Sequence, residues 1–292
     1  MKRSVSSTRT TSSIEVEAVL VGDPEQGRIA ILHKSVDSNA ELGVVIVVGG
    51  LQYRVGSQRY FVELADKLAT RGLPTIRYDH VGCGDAYGDA KHFSANTEEL
   101  GEAITLILES CNNLSGVILW GLCDGATAAA EYAHLDPRVK GVVLVNGWIH
   151  SPWQESKNLW LEYYSKRIFD PNTWLAYIRN PSRIGETIRA FWSRIASLRN
   201  KDPLSDHGKN VVENLTKFTG NLMSIVSGSD VTGLTFIDYI KDNAPNVYAR
   251  LDRVEIAGAD HTFTQNSWRQ ACSDYTLKWI QEIQQNAKHS ST

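Results

Sequence analysis

The sequence predicts an α/β protein: a mostly parallel sheet with helices on both faces. Three observations lead there. Apolar runs alternate strictly with amphipathic segments of helical period from residue 44 to residue 147, and the alternation resumes after residue 216. That is the pattern of βαβ units. The first core run, Val44-Val45-Ile46-Val47-Val48, is apolar at every position, as a strand covered on both faces must be. Finally, 292 residues with 42% apolar and 22% charged side chains suffice for one large α/β domain or two small ones.

The elements follow in chain order. Residues 1–13 are rich in Ser, Thr and Arg, carry no acid and have no apolar centre. They are not a secretory signal. Their composition predicts a floppy start that cannot bury enough surface to order itself, with a transit peptide as the alternative. Ile14, Val16, Ala18 and Leu20 alternate with polar or small residues, the mark of a half-buried strand. Gly22 to Gly27 reads as a turn, and Arg28 to His33 as the returning arm of a hairpin. After the Val44–Val48 strand, residues 57–71 place Phe61, Leu64, Ala65 and Leu68 on one helical face, and Gly72 ends that helix. Pro74 to Asp79 is the next strand. Asn96 and Glu99 form the expected capping pair of a helix that buries Leu100, Ala103, Ile104 and Ile107.

Val117 to Trp120 is a strand, and the alanine-rich helix after it runs to about His134. Val142–Val145, Leu222–Val226 and Val254–Ile256 are further strands. A closing helix turns Trp268, Tyr275, Trp279 and Ile283 inward. Between residues 148 and 215 the alternation breaks. Here lie Trp148, Trp153, Trp160, Trp174 and Trp192, five of the eight tryptophans, at helical spacing. This stretch is expected to be a helical cap over the strand ends, its tryptophans mostly stapling it down and one or two lining an apolar substrate pocket. The plan is therefore a flexible tail at 1–13, a core domain at 14–147 and 216–288, and a cap insertion at 148–215.

The chemistry centres on Gly121-Leu122-Cys123-Asp124-Gly125, which joins the Val117–Trp120 strand to the alanine-rich helix. Strand, sharp turn and helix are the setting of a nucleophile elbow, whose strained turn leaves no room for flanking side chains. The central residue is Cys where Ser is usual. A nucleophile needs a base, a group that orients the base, and donors for the oxyanion. Asp230 follows the Leu222–Val226 strand, and His261 follows the Val254–Ile256 strand, in the order acid then histidine. Strand carboxyl ends are where ligands collect in parallel sheets, so Cys123, Asp230 and His261 should converge there. Asp202, Asp206 and Asp260 compete with Asp230 for the acid. The amide of Asp124, at a helix amino terminus, is one oxyanion donor. The other comes from the loop after the first core strand, with Leu51 favoured and Gln52 the runner-up.

Other groups point elsewhere. His33, His80, His92, His134, His150, His207 and His289 lack metal-ligand spacing, though His80 and His150 follow strands and are within reach of the pocket rim. Asp79 to Asp85 carries glycines but no phosphate-loop motif, and Cys83 within it reads as structural. Cys83, Cys111, Cys123 and Cys272 form no C-x-x-C pair, so reduced thiols in a cytosol are the simpler reading than disulfides or zinc. A net charge of −3 gives no reason to expect nucleic acid, and no apolar run approaches a membrane span. No metal or cofactor is expected.

Taken together these residues resemble the α/β-hydrolase superfamily. More narrowly, Gly49 to Ser57 and Trp120-Gly121-Leu122-Cys123-Asp124 resemble the hydrolase 1 family associated with exosortase A systems. Dienelactone hydrolases are similar in using Cys at the elbow. The resemblance implies an eight-stranded, mostly parallel sheet, a cap after the sixth strand, and a triad of Cys123, His261 and Asp230. A thiolate is the reactive form of Cys, and both a helix amino terminus and a neighbouring imidazolium favour it. The expected activity is hydrolysis of an activated acyl group, thioester or ester, through an acyl-enzyme. An acyltransferase or cyclase using the same intermediate is the alternative, and a non-hydrolytic binder or lyase the third. The partners this allows are a small acyl substrate, free or presented on CoA or a carrier protein, and a second copy of the chain as a homodimer.

Overall fold

The computed structural model describes residues 8–10, 13–21, 27–36, 38–49, 52–89, 97–149 and 206–290. The strands are β1 (Thr8–Thr10), β2 (Ile14–Val21), β3 (Arg28–Ser35), β4 (Leu42–Val47), β5 (Thr75–Tyr78), β6 (Gly116–Leu122), β7 (Val139–Val145), β8 (Asn221–Ser227) and β9 (Leu251–Ile256). They form one sheet in the order β1-β2-β3-β5-β4-β6-β7-β8-β9. The pairs from β1 through β5 along this order are antiparallel, and those from β5 to β9 are parallel. The helices are α1 (Tyr60–Thr70), α2 (Thr97–Ser110), α3 (Asp124–Tyr132), α4 (Asp206–Lys217), α5 (Val231–Asn243), α6 (Pro245–Ala249) and α7 (Asn266–Ser290). This is the α/β-hydrolase fold.

Both faces of the central strand are covered, as its unbroken apolar run requires. Val44, Ile46 and Val48 join Tyr60, Phe61 and Leu64 of α1 and Cys272, Trp279 and Ile280 of α7 in one core cluster. The intervening Val45 and Val47 are equally buried, and α2 and α3 pack on β4 too. Trp120 fills the centre of the first face. The rings of Tyr60 and Phe61 meet it edge-on at 5.7 Å, and its indole N–H donates to Thr276 Oγ1 at 3.2 Å. The ring is thus buried without an orphaned donor.

Three expectations change. The eight expected strands are joined by a ninth, because Thr8–Thr10 pairs with Glu15–Glu17 inside the segment read as a floppy tail. The exposed edge of β2 offers unpaired main-chain groups that even a short polar stretch can complete. Tyr275 is 42% exposed and does not face the core. It flanks the apolar arc of α7, which centres on Cys272 and Trp279. Glu99 is no reach-back cap: its carboxylate accepts from Val81 N–H and pairs with His80 and Arg28, and its expected partner Asn96 lies outside the described residues. The turn from Gly22 likewise lies mostly outside them.

The chain divides into two compact units, Met1–Trp148 with Val212–Thr292, and Ile149–Val211. The whole sheet belongs to the first. The expected helical cap, with Trp153, Trp160, Trp174 and Trp192, falls almost entirely outside the described residues. Among the described residues no helix is long and apolar enough to cross a membrane.

Candidate active site

Cys123 stands between β6 and α3 with φ 57° and ψ −121°, a backbone conformation costly for a residue with a Cβ. Neighbouring glycines make the turn possible. A Cβ on Gly121 would lie 2.2 Å from the carbonyl oxygen of Gly125, and one on Gly125 would lie 2.2 Å from that of Val47. The strain is held by the surroundings: Cys123 N–H donates to Val145 O at 2.9 Å, and Cys123 O accepts from Ala126 and Thr127 as α3 begins. The Cys123 thiol acts on the His261 imidazole and raises it. It also lies 3.8 Å from Asp124 Oδ1.

His261 Nδ1 and Asp230 Oδ2 are 2.7 Å apart. Asp230 caps α5, its carboxylate accepting from Thr232 N–H at 3.2 Å and Gly233 N–H at 3.1 Å, and it is 7% exposed. The carboxylate is therefore tied on several sides, and His261 takes a fixed orientation from it. The Asp230 bond first, and then the Cys123 thiol, push the His261 imidazole up to about 10 against the burial that would lower it. At neutral pH this ring is an imidazolium, whose Nδ1–H donates to Asp230.

The structure thus brings Cys123, His261 and Asp230 together at the carboxyl ends of β6, β8 and β9. Of the competing acids, Asp260 spends its carboxylate on Thr264 N–H and hydroxyl. Asp202 and the side chain of Asp206 lie outside the described residues, as do Leu51 and His150. Gln52, the runner-up donor, commits its N–H to Gly49 O at 3.0 Å. Asp124 opens α3, and Gly49 packs so closely on it that a Cβ there would sit 2.6 Å from the Asp124 carbonyl carbon. His80 is not at a rim: it is 2% exposed beneath the end of β4. Cys83 is buried.

Asn146 is the residue that sequence reading passed over. It follows β7, is fully buried and has φ 44°. Its Oδ1 accepts from Ser227 N–H at 2.7 Å, and its Nδ2 donates to Ser227 Oγ and to His261 O, each at 2.8 Å. One side chain therefore joins the ends of β7 and β8 to the histidine loop. The available signal was an Asn-Gly pair at a strand end, since Asn tolerates positive φ. A cavity of about 650 Å³, lined by Leu42, Ser115, Val139, Phe218 and Asn221, lies at the opposite, amino-terminal ends of the strands and away from this chemistry.

A family model described as "Serine aminopeptidase, S33" (Hydrolase_4) matches residues 40–227. A proline iminopeptidase of Clostridioides difficile is 32% identical over 117 residues, which cover 39% of this chain and 37% of that protein. The chain thus spans little more than a third of the curated relative it matches. Among solved structures, a proline iminopeptidase of Mycobacterium smegmatis is similar with a TM-score of 0.60 at 14% identity, over 92% of this chain and 99% of that one. An esterase of Pyrococcus furiosus is similar at 0.61 and 13%, over 93% and 92%. A dienelactone hydrolase of Anabaena variabilis is similar at 0.58 and 17%, over 92% and 98%. At such identities the structural likeness speaks for the fold alone.

Proposed function

The chain belongs to the serine aminopeptidase S33 family of α/β hydrolases, and from that premise we propose that it cleaves activated acyl groups, esters and thioesters, with a cysteine where the family description has serine. It is an enzyme of the esterase and peptidase kind. Cys123 is the nucleophile, His261 the acid and base, and Asp230 the residue that orients His261. The amides of Asp124 and Leu51 hold the oxyanion. The observation that carries the reading is the strained elbow at Cys123 beside an imidazole that Asp230 holds at 2.7 Å and that is raised to about 10.

In that couple the thiolate is the form of Cys123 that attacks, and His261 carries the proton. The Cys123 thiolate attacks the acyl carbon, and a tetrahedral oxyanion forms. Collapse of this intermediate breaks the bond to the leaving group, which takes the His261 Nε2 proton as it departs. The acyl group is left as a thioester on Cys123. His261, now neutral, removes a proton from water as the water oxygen attacks the thioester. The carboxylic acid leaves and the couple is restored.

The cysteine itself favours a second reading, acyl transfer. A thioester keeps more acyl-transfer potential than an oxygen ester, so an amine or alcohol can take the place of water. Incubation with acyl-CoA, lactones and aryl esters, followed by intact mass measurement, tests the first claim. An acyl adduct on the wild type and none on Cys123→Ala is the expected result. Full turnover by Cys123→Ala would refute it. Product analysis with added amines or alcohols separates hydrolysis from transfer.

A further inference from the structure

Beneath the end of β4, His80 faces an acceptor with each ring nitrogen. Nδ1 is 2.8 Å from Glu99 Oε2 on α2, and Nε2 is 2.7 Å from the main-chain oxygen of Val48. A main-chain oxygen can only accept, so the Val48 bond exists only where Nε2 carries the hydrogen. On the other side of the ring, Glu99 is itself held in place. Glu99 also receives Arg28 of β3 at 3.2 Å and the N–H of Val81 at 3.2 Å. Arg28 is shared with Glu102. Tyr78 of β5 lies edge-on to the ring at 5.0 Å. Burial alone would raise the Glu99 carboxyl, but His80, Arg28 and the Val81 amide outweigh it and hold it below its ordinary range.

The second fact is where Val48 leads. The next residue, Gly49, abuts the first residues of the elbow helix: a Cβ there would lie 2.1 Å from Gly125 N. Whatever fixes the Val48 carbonyl fixes the spacing between the end of β4 and the nucleophile turn. We propose that His80 is a positioning residue, clamped between Glu99 and Val48, that holds the end of β4 against the Cys123 elbow. This rests on the acyl-enzyme reading for its catalytic consequence. The clamp itself does not depend on that reading.

Three measurements test it. In wild-type protein labelled with nitrogen-15 histidine, Nε2 of His80 is expected to carry hydrogen. A ring with hydrogen on Nδ1 alone would overturn the proposal. The second measurement uses a pair of variants. Asn places its amide near the position of Nδ1, and Gln near that of Nε2, so His80→Gln keeps a donor for Val48 and His80→Asn does not. Amide hydrogen exchange in residues 44–49 is expected to speed up in His80→Asn and to stay close to wild type in His80→Gln. Equal exchange in all three proteins would overturn the positioning role.

The third measurement is acylation of Cys123 by p-nitrophenyl acetate. The expected rate falls on the order of tenfold in His80→Asn, short of the 10²–10³ that losing an oxyanion donor outright costs. His80→Gln should recover most of it. Alkylation by iodoacetamide, which needs the thiolate but no oxyanion donors, should change less than about twofold in both variants. A parallel fall in acylation and alkylation would mean general damage and would overturn the specific role. If wild-type Cys123 is not acylated at all, the functional reading fails, and the label and exchange data decide the clamp alone.

Discussion

Asn146 Nδ2 donates to the main-chain oxygen of His261 across 2.8 Å, linking residues 115 apart in the chain. The same amide group binds Ser227 at the end of β8. The histidine loop is thus anchored at its own backbone, independently of the Asp230 bond that orients the ring. Two separate hold points are what a reacting group needs if it is to stay within a fraction of an ångström of productive geometry.

Removing the Asn146 side chain leaves three buried partners unsatisfied. Asn146→Ala should lose about 2–4 kcal/mol of stability in urea unfolding. Asn146→Gly should be less destabilised than Ala by about 1 kcal/mol, because φ 44° suits glycine. Both should lower kcat while leaving the Asp230 bond in place. A stability near wild type for Ala would show that the network carries little.

The raised His261 value sets a pH window. A base whose value rises on folding adds stability that is fully present below its unfolded value, about 6.5. That stability is lost as pH climbs through about 10. In the proposed mechanism the imidazolium also supplies the leaving-group proton, so kcat/KM should hold to about pH 10 and fall above it. Asp230→Asn should bring that upper limb down toward neutrality. An unmoved limb would show that Asp230 is not what raises His261.

Replacing the sulfur tests the nucleophile directly. A hydroxyl is a far weaker nucleophile than a thiolate and needs a neutral His261 to take its proton, so Cys123→Ser should lose about 10²-fold or more in ester turnover. The thiol is one of the causes that raise His261, so without it the upper pH limit should fall below the wild-type value of about 10. A serine variant with a wild-type pH profile would argue for ordinary general-base catalysis.

Two glycines give a contrast in how the backbone is constrained. Gly258 has φ +70° with nothing within 4 Å of an added Cβ, so Gly258→Ala should cost about 1 kcal/mol. In Gly125→Ala the new Cβ would meet the Val47 carbonyl oxygen at 2.2 Å. The main chain must move, at a cost of about 3 kcal/mol or more, and acylation should fail with it. Circular dichroism melts of the pair check the order.

Much of the core was legible because its signals are local. Val44 to Val48 announces a strand covered on both faces, and the glycines around Cys123 announce a turn with no room. Phe61, Leu64 and Leu68 announce the buried face of α1 through spacing alone. The misses share a different cause. Thr8–Thr10 forms a strand only because β2 offers an open edge. Glu99 sits where a capping residue should, yet its carboxylate is drawn to a histidine and an arginine on other elements. Tyr275 lies one position off the arc that α7 turns toward the sheet.

The order of elements and the elbow with a cysteine at its centre were written in the chain itself, because side-chain period and turn chemistry act between neighbours a few residues apart. The tertiary structure decided which acid meets His261, that Asn146 ties the ends of β7 and β8 to the histidine loop, and that His80 faces two acceptors. Those are hydrogen bonds of narrow geometry between residues distant in sequence. Only the register of the packed strands brings their atoms within reach of one another.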